Sequence, residues 1–265
     1  MNSGSGSARD FLRHLASRGR YHFTTEELAR ELGASITAVR AALRRLKQKG
    51  LIAAPVRGFH VIVPPEYQAL GCLPAEQFIP QLMNRVGVPY YAGLLTAARF
   101  HGAAHQQPQV FQVVVPRNRP AIRCGRVRVT FVARHNAREV PTVQLNTPRG
   151  YLRVSTPEAT AFDLVGYPRH CGGLSNVATV LAELAEKLSP DQLASVAPLS
   201  PIPWAQRLGY LLERVGAQER AAALGEYVAR SATETVPLST AHRLGRSERD
   251  ARWKLAVNVG VEADL

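Results

Sequence analysis

The segment 35–49 contains basic side chains at a spacing that brings them to one face of a helix. The same face begins with the short side chains of Thr37 and Ala41, which let a helix approach the floor of the DNA major groove. An arginine on such a helix can contact guanine or a phosphate. The residues that we expect to contact DNA are small, polar or basic, and some lie outside this segment: Thr25, Ser35, Thr37, Ala38, Arg40, Ala41, Arg44, Arg45, Lys47, Arg57 and Gly58.

The helices predicted before and within this segment have clear start and stop signals. Helical periodicity predicts a first helix over 8–17. Thr24 and Glu27 have the spacing of a capping box, which predicts that a second helix starts there and ends at Gly33. Ser35 is a typical N-cap residue for the third helix.

The third helix is predicted to pack on an apolar stripe and to precede a hairpin. Two strands are expected over 51–55 and 59–63, joined at Arg57 and Gly58, so the element order matches a winged helix-turn-helix over residues 8–63. The alternative is a three-helix bundle with a hairpin, in which the basic face is only solvated. The buried stripe of the third helix is predicted to consist of four apolar residues: Ile36, Val39, Leu43 and Leu46.

The charge balance favours a polyanionic partner. The chain has 33 Lys and Arg against 20 Asp and Glu, a formal net charge of +13. Such an excess suits DNA, RNA or an anionic membrane surface. No apolar run is long enough for a transmembrane helix, and residues 1–7 look like a flexible tail rather than a secretory signal. Three scattered cysteines fit a reducing compartment, so we expect a cytoplasmic protein.

A second basic run over 117–138 contains seven arginines and no acid. Alternation with Val and Phe predicts a strand whose arginines share one solvent-exposed face. The run is interpreted either as a second nucleic-acid surface or as a face that resists edge pairing. Its candidate surface residues are all arginines: Arg117, Arg119, Arg123, Arg126, Arg128 and Arg134.

The rest of the chain, 64–265, is predicted to form a mixed α/β domain. Apolar β-branched runs within 64–170 predict a mostly antiparallel sheet, and 171–265 is predicted to be mainly helical. The fold class is therefore α+β, with the winged helix-turn-helix at the N-terminus.

The usual signatures of catalysis and metal binding are missing from the sequence. There is no phosphate-binding glycine loop and no nucleophile elbow. Glu158 and Asp163 are five residues apart and have no lysine near them, so we assign no catalytic residue. His101 and His105 could share a metal on one helix, but no third ligand comes after them, so no metal and no cofactor is predicted.

Several segments of the second domain resemble the AbiEi antitoxin family. They are distributed in the family's order, so together with the winged helix the resemblance covers residue 8 to the end. The similar segments are 90–102, 107–115, 153–165, 172–184 and 206–212.

This resemblance implies an autorepressor and antitoxin of a type IV toxin–antitoxin system. Such a protein would bind inverted repeats of double-stranded DNA in its own promoter and counteract a nucleotidyltransferase-like toxin without a stable complex. It could be a monomer in solution that binds DNA cooperatively, with no membrane partner. The alternative hypothesis is a nucleic-acid-processing enzyme that uses the winged helix for targeting, and a third is that the helical end docks the toxin.

Overall fold

The structure is a computed structural model that describes residues 7–103, 109–243, 245 and 247–263. The predicted tail therefore lies almost wholly outside the described residues, as does His105. Ser7 is described, and it is the N-cap of the first helix rather than part of a tail. Within the described residues, no helix is long and apolar enough to cross a membrane.

The winged helix-turn-helix is present in the expected order. Phe23, Leu28 and Val39 are completely buried in its core, and the rings of Phe11 and Phe23 meet edge to face at 5.4 Å. The strand order is β1-β3-β2 with antiparallel pairing throughout. Its elements are α1 (Ala8–Ser17), β1 (His22–Thr24), α2 (Thr25–Leu32), α3 (Ile36–Gln48), β2 (Ile52–Val56) and β3 (Phe59–Ile62).

The remaining elements confirm a mixed α/β region that precedes a series of helices. They are α4 (Ile79–Val86), β4 (Tyr91–Ala92), α5 (Leu94–Phe100), β5 (Phe111–Val115), β6 (Ile122–Cys124), β7 (Val127–Ala133), β8 (Thr142–Thr147), β9 (Gly150–Ser155), α6 (Pro157–Gly166), α7 (Leu174–Leu184), α8 (Pro190–Val196), α9 (Ile202–Arg214), α10 (Gln218–Ser231), β10 (Val236–Pro237), β11 (Glu248–Asp250) and β12 (Leu255–Val257).

The chain divides into two compact units that interleave along the sequence. Unit 1 consists of residues 1–90, 109–134 and 144–153, so it contains the winged helix, α4 and strands β5 to β7. Unit 2 consists of residues 91–108, 135–143 and 154–265, and it contains the helices from α5 onward.

Strand pairing is mixed, which corrects the expectation of a mostly antiparallel sheet. In unit 1, β7 lies between β6 and β5, so it pairs antiparallel with β6 but parallel with β5. In unit 2, β4 pairs in parallel with the end of β9 at Ala92 and Val154. The sequence predicted the longer strands but missed β6. Because β6 runs in the opposite direction between them along the chain, β5 and β7 point the same way and pair in parallel.

Unit 2 is a helical assembly built around α9. This helix packs against α6, α7 and α10, and Trp253 is completely buried beside it. A Cβ at Gly209 of α9 would lie 2.0 Å from the Trp253 ring, so only glycine permits this approach. The amide of Gln206 donates to the backbone oxygens of Trp253 and Lys254, at 3.1 and 3.0 Å.

Candidate nucleic-acid interface

Local sequence signals position α3 as predicted. The Ser35 hydroxyl accepts a hydrogen bond from the Ala38 backbone N–H at 3.3 Å, which confirms the N-cap. Val39, Leu43 and Leu46 are buried and hold the helix against the core. The outward residues of the helix are exposed: Thr37, Ala38, Arg40, Ala41, Arg44, Arg45 and Lys47.

Ile36 is not part of the buried stripe, and the expectation for this residue was wrong. Its side chain is 42% exposed, and it lines the same cleft as Arg40 and Lys47. The first residue of a helix has no preceding turn beneath it. Ile36 therefore lies at the outer edge of the stripe, where the neighbouring wing leaves space.

The wing comes after α3 as a two-stranded hairpin. Gly58 has a φ of +76°, a conformation that glycine adopts without strain, and Arg57 beside it is exposed. Gly58 lies at the tip between β2 and β3, and its carbonyl accepts the Thr25 backbone N–H at 3.3 Å. The start of α2 is thereby tied to the tip of the wing.

A cleft of about 610 Å³ lies between α3 and the wing. It brings together sequence-predicted residues from three elements, and its lining includes basic side chains and the apolar side chains of Ile36 and Leu43. Its charged or polar lining residues are Thr25, Glu26, Arg40, Arg44, Lys47, Arg57, His60 and Arg85. Ser35, Thr37, Ala38, Ala41 and Arg45 do not line the cleft.

His60 forms the polar floor of the cleft and was missed by the sequence analysis. It is 8% exposed, its ring stacks on Phe23 at 5.2 Å, and its Nε2 lies 3.0 Å from the Thr25 hydroxyl. Burial, and next the positive charge of Arg85, lower the pKa of His60, so the ring is neutral near pH 7. The sequence did not mark His60 as a site residue, because it lies between apolar residues of a predicted strand.

Four of the six arginines predicted to form a second basic surface are exposed. Arg123 of β6 lies directly opposite Arg128 of β7, and both are exposed. Arg117 and Arg126 are also exposed, whereas Arg119 is half-buried and its guanidinium lies 5.9 Å from the Phe131 ring centroid. The sixth, Arg134, is only 4% exposed, because it lies beyond the end of β7 in the interior, so it does not belong to this surface.

Glu158 and Asp163 of unit 2 are buried and hydrogen-bonded. Asp163 is completely buried and accepts a hydrogen bond from the Tyr91 hydroxyl at 2.8 Å. Glu158 is 6% exposed and accepts the Ser189 backbone N–H at 3.1 Å. Among the described residues, no group of three or more His, Cys, Asp or Glu could hold a metal ion. These acids therefore stabilise the fold rather than face a substrate.

The cysteines are all buried thiols. Cys171 is completely buried, and burial raises the pKa of its thiol, which makes it unreactive at neutral pH. Cys72 and Cys124 are also buried and free in unit 1. The adjacent His170 and Cys171, which resemble a nucleophile pair in sequence, offer no accessible thiolate.

Comparison with known families agrees with this architecture. Residues 91–214 match the model of the AbiEi antitoxin C-terminal domain, and residues 23–53 match a winged helix-turn-helix DNA-binding model. No curated protein matches the chain.

Among solved structures, a mycobacterial protein shares the fold over nearly the whole chain. The crystal structure of the RV2827C protein from Mycobacterium tuberculosis superposes with a TM-score of 0.66 at 21% sequence identity, covering 96% of this chain and 94% of that one. At this identity the similarity concerns the fold alone. A winged helix-turn-helix with an exposed basic helix thus precedes a segment, residues 91–214, that matches the AbiEi antitoxin C-terminal domain, and this combination is consistent with an AbiEi antitoxin.

Proposed function

We propose that this protein is a DNA-binding autorepressor and antitoxin of a type IV toxin–antitoxin system. It would bind inverted repeats in its own promoter through α3 and the wing, and it would counteract a nucleotidyltransferase-like toxin without forming a stable complex with it. Such a role places the protein in the cytoplasm, where promoter DNA is found. The observation that carries the DNA-binding half is the basic cleft between α3 and the wing.

The chemistry of this cleft suits the major groove. Arg40, Arg44 and Lys47 repeat at helical spacing along one face of α3, so one helix can bring all three to the DNA. Arginine donates two hydrogen bonds to guanine, and lysine contacts phosphate as a point charge. The exposed methyl groups of Ile36 fit the C5-methyl group of thymine, which adds an apolar contact to the predicted set.

Arg57 is assigned to the DNA backbone or the minor groove. Its side chain is exposed at the tip of the hairpin, between the end of β2 and the start of β3. The arginines of β6 and β7 supply further positive field in the same unit. Two arginines directly opposite each other on adjacent strands repel, so their face is better suited to an anionic partner than to self-association.

The antitoxin half is assigned to unit 2, which contains most of the residues matched by the antitoxin model. We propose that this half acts without catalysis. The support is that Glu158 and Asp163 are buried and hydrogen-bonded, so they cannot bind a catalytic metal without leaving their partners. Cleavage of labelled DNA or RNA by the purified protein in Mg²⁺ would contradict this assignment.

The test of the whole proposal uses the full chain in two assays. Fluorescence anisotropy with a duplex of its own promoter measures DNA binding, with a scrambled duplex of equal length as the control. Co-expression with the nucleotidyltransferase-like toxin encoded beside it measures rescue of growth. Equal affinity for both duplexes would contradict specific repression, and failure to rescue growth would contradict the antitoxin role.

A further inference from the structure

Arg85, which lies outside the winged helix-turn-helix, contacts the tip of the wing. It belongs to the last turn of α4, and its Nη1 donates a hydrogen bond to the Gly58 carbonyl oxygen at 2.8 Å. Its Nη2 lies 3.7 Å from the Glu26 carboxylate at the start of α2. A single guanidinium thus connects α4 to the wing and to α2, both of which border the cleft.

The contact adds a second hydrogen bond at the tip of the hairpin, where the Gly58 carbonyl also accepts the Thr25 backbone N–H. Within the sheet, β3 pairs with both β1 and β2, but β2 is an edge strand and has a partner strand on one side only. Gly58 adds backbone freedom at this point. A charged donor on the Gly58 carbonyl removes that freedom, and hydrogen bonds from charged groups are stronger than those from neutral ones.

The helix that carries Arg85 is itself fixed within unit 1. The Gln81 amide donates to the Arg149 backbone oxygen at 3.0 Å, and the Arg149 Nε donates to the Gln77 side chain at 2.7 Å. The Arg149 guanidinium lies 3.4 Å from the ring centroid of Tyr21, just before β1. α4 therefore has a fixed position relative to the winged helix.

We propose that Arg85 is a positioning residue for DNA binding, which holds the wing tip so that Arg57 meets the DNA backbone. This inference rests on the proposed function, because it assigns a role at the same interface. It extends the interface beyond residues 8–63, since the wing is held in place by a helix that comes later in the chain than the motif.

The experiment is a double-mutant cycle in the full-length protein with a duplex of its own promoter. Arg85→Ala should lower the affinity about tenfold, because Arg57 loses its phosphate contact. It should also reduce the salt slope, which is the slope of log K for DNA binding against log salt concentration, by about one unit. In an Arg57→Ala background, Arg85→Ala should have little further effect, because the two residues act through one contact. Arg85→Lys should restore part of the affinity, and Arg230→Ala, which removes an exposed arginine of α10, should change nothing.

Hydrogen exchange tests the same inference without DNA. The amides of residues 56–60 should exchange faster in Arg85→Ala, whereas those of α3 should keep the wild-type rates. Unchanged exchange in the wing would overturn the positioning role. So would additive losses in the double variant, since they would make Arg85 an independent phosphate contact. If Arg57→Ala and the loss of the α3 arginines leave DNA binding intact, the proposed function fails. If DNA binding depends on these arginines but wing exchange is unchanged in Arg85→Ala, only the positioning role fails.

Discussion

The proposed DNA-binding face of unit 1 and the interior of unit 2 use polar residues in opposite ways. On α3 the arginines are exposed and lie beside a cleft, where their charge is available to a partner. In unit 2, Tyr91, Asp163 and Gln206 are buried and hydrogen-bonded to each other or to the backbone. Buried polar groups are retained only with partners, because leaving them unpaired costs free energy. The buried polar residues of unit 2 therefore stabilise its fold, whereas the exposed arginines of α3 are available for the proposed contact with DNA.

The largest effect on DNA binding is expected when the positive charge of α3 is removed. Replacing Arg40, Arg44 and Arg45 together by alanine should lower the affinity for the promoter duplex at least about a hundredfold, because a bidentate base contact alone is worth about 1–3 kcal/mol. The melting temperature and toxin rescue should be unchanged, since all three side chains are exposed. Anisotropy, thermal melting and co-expression check these outcomes.

The control for this variant removes the same net charge elsewhere. Arg169, Arg214 and Arg230 are exposed arginines of unit 2, and their triple alanine variant should bind the promoter nearly as well as the wild type. Equal losses in the two variants would mean that net charge, and not α3, determines binding.

The next test probes the packing of unit 2. Gly209→Ala places a methyl group against the Trp253 ring, so it should destabilise the protein by about 1–3 kcal/mol, as overpacking does. Gly260→Ala is the control, because a Cβ there meets no described atom within 4 Å. Urea unfolding measures the difference. Promoter binding at low temperature should persist in both, and its loss in Gly209→Ala would show that the binding face depends on this packing.

A smaller effect is expected at the tip of the wing. Arg57→Ala should weaken promoter binding and reduce the salt slope by about one unit, because one phosphate contact is lost. Affinity measured between about 50 and 200 mM salt, with the scrambled duplex in parallel, gives the slope. The loss should be similar for both duplexes, since a phosphate contact carries no sequence information. An unchanged slope would place the wing away from the DNA.

The smallest effect concerns His60. Its folded pKa lies below the ordinary value, so the unfolded chain binds the proton more readily and stability falls as the pH drops below about 6.5. The free energy of unfolding should therefore decrease between about pH 7 and pH 5, and less steeply in His60→Gln. His22 and His101 also have pKa values lowered by burial, so part of the slope should remain. An identical slope in the variant would mean that His60 does not titrate differently on unfolding.

Local signals predicted the winged region almost residue by residue. Thr24 and Glu27 form the expected capping box, and Val39, Leu43 and Leu46 form the buried stripe. Caps and periodicity involve residues within one or two turns of each other, so they can be recognised along the sequence. The pairing of β4 shows where this fails. Tyr91 begins a short strand that pairs with β9 at Val154, and residues this far apart in sequence leave no local pattern of their pairing.

By itself, the sequence determined the helices and the hairpin of the winged region, the basic face of α3 and the family resemblance, all of which depend on neighbouring residues or on composition. The tertiary structure determined which polar residues are exposed to a binding partner and which are buried. It buries Arg134, Glu158 and Asp163, and it brings Arg85 to Gly58 across 27 residues of chain. Burial and long-range contacts depend on how distant elements pack, and packing is a property of the whole fold that no single segment encodes.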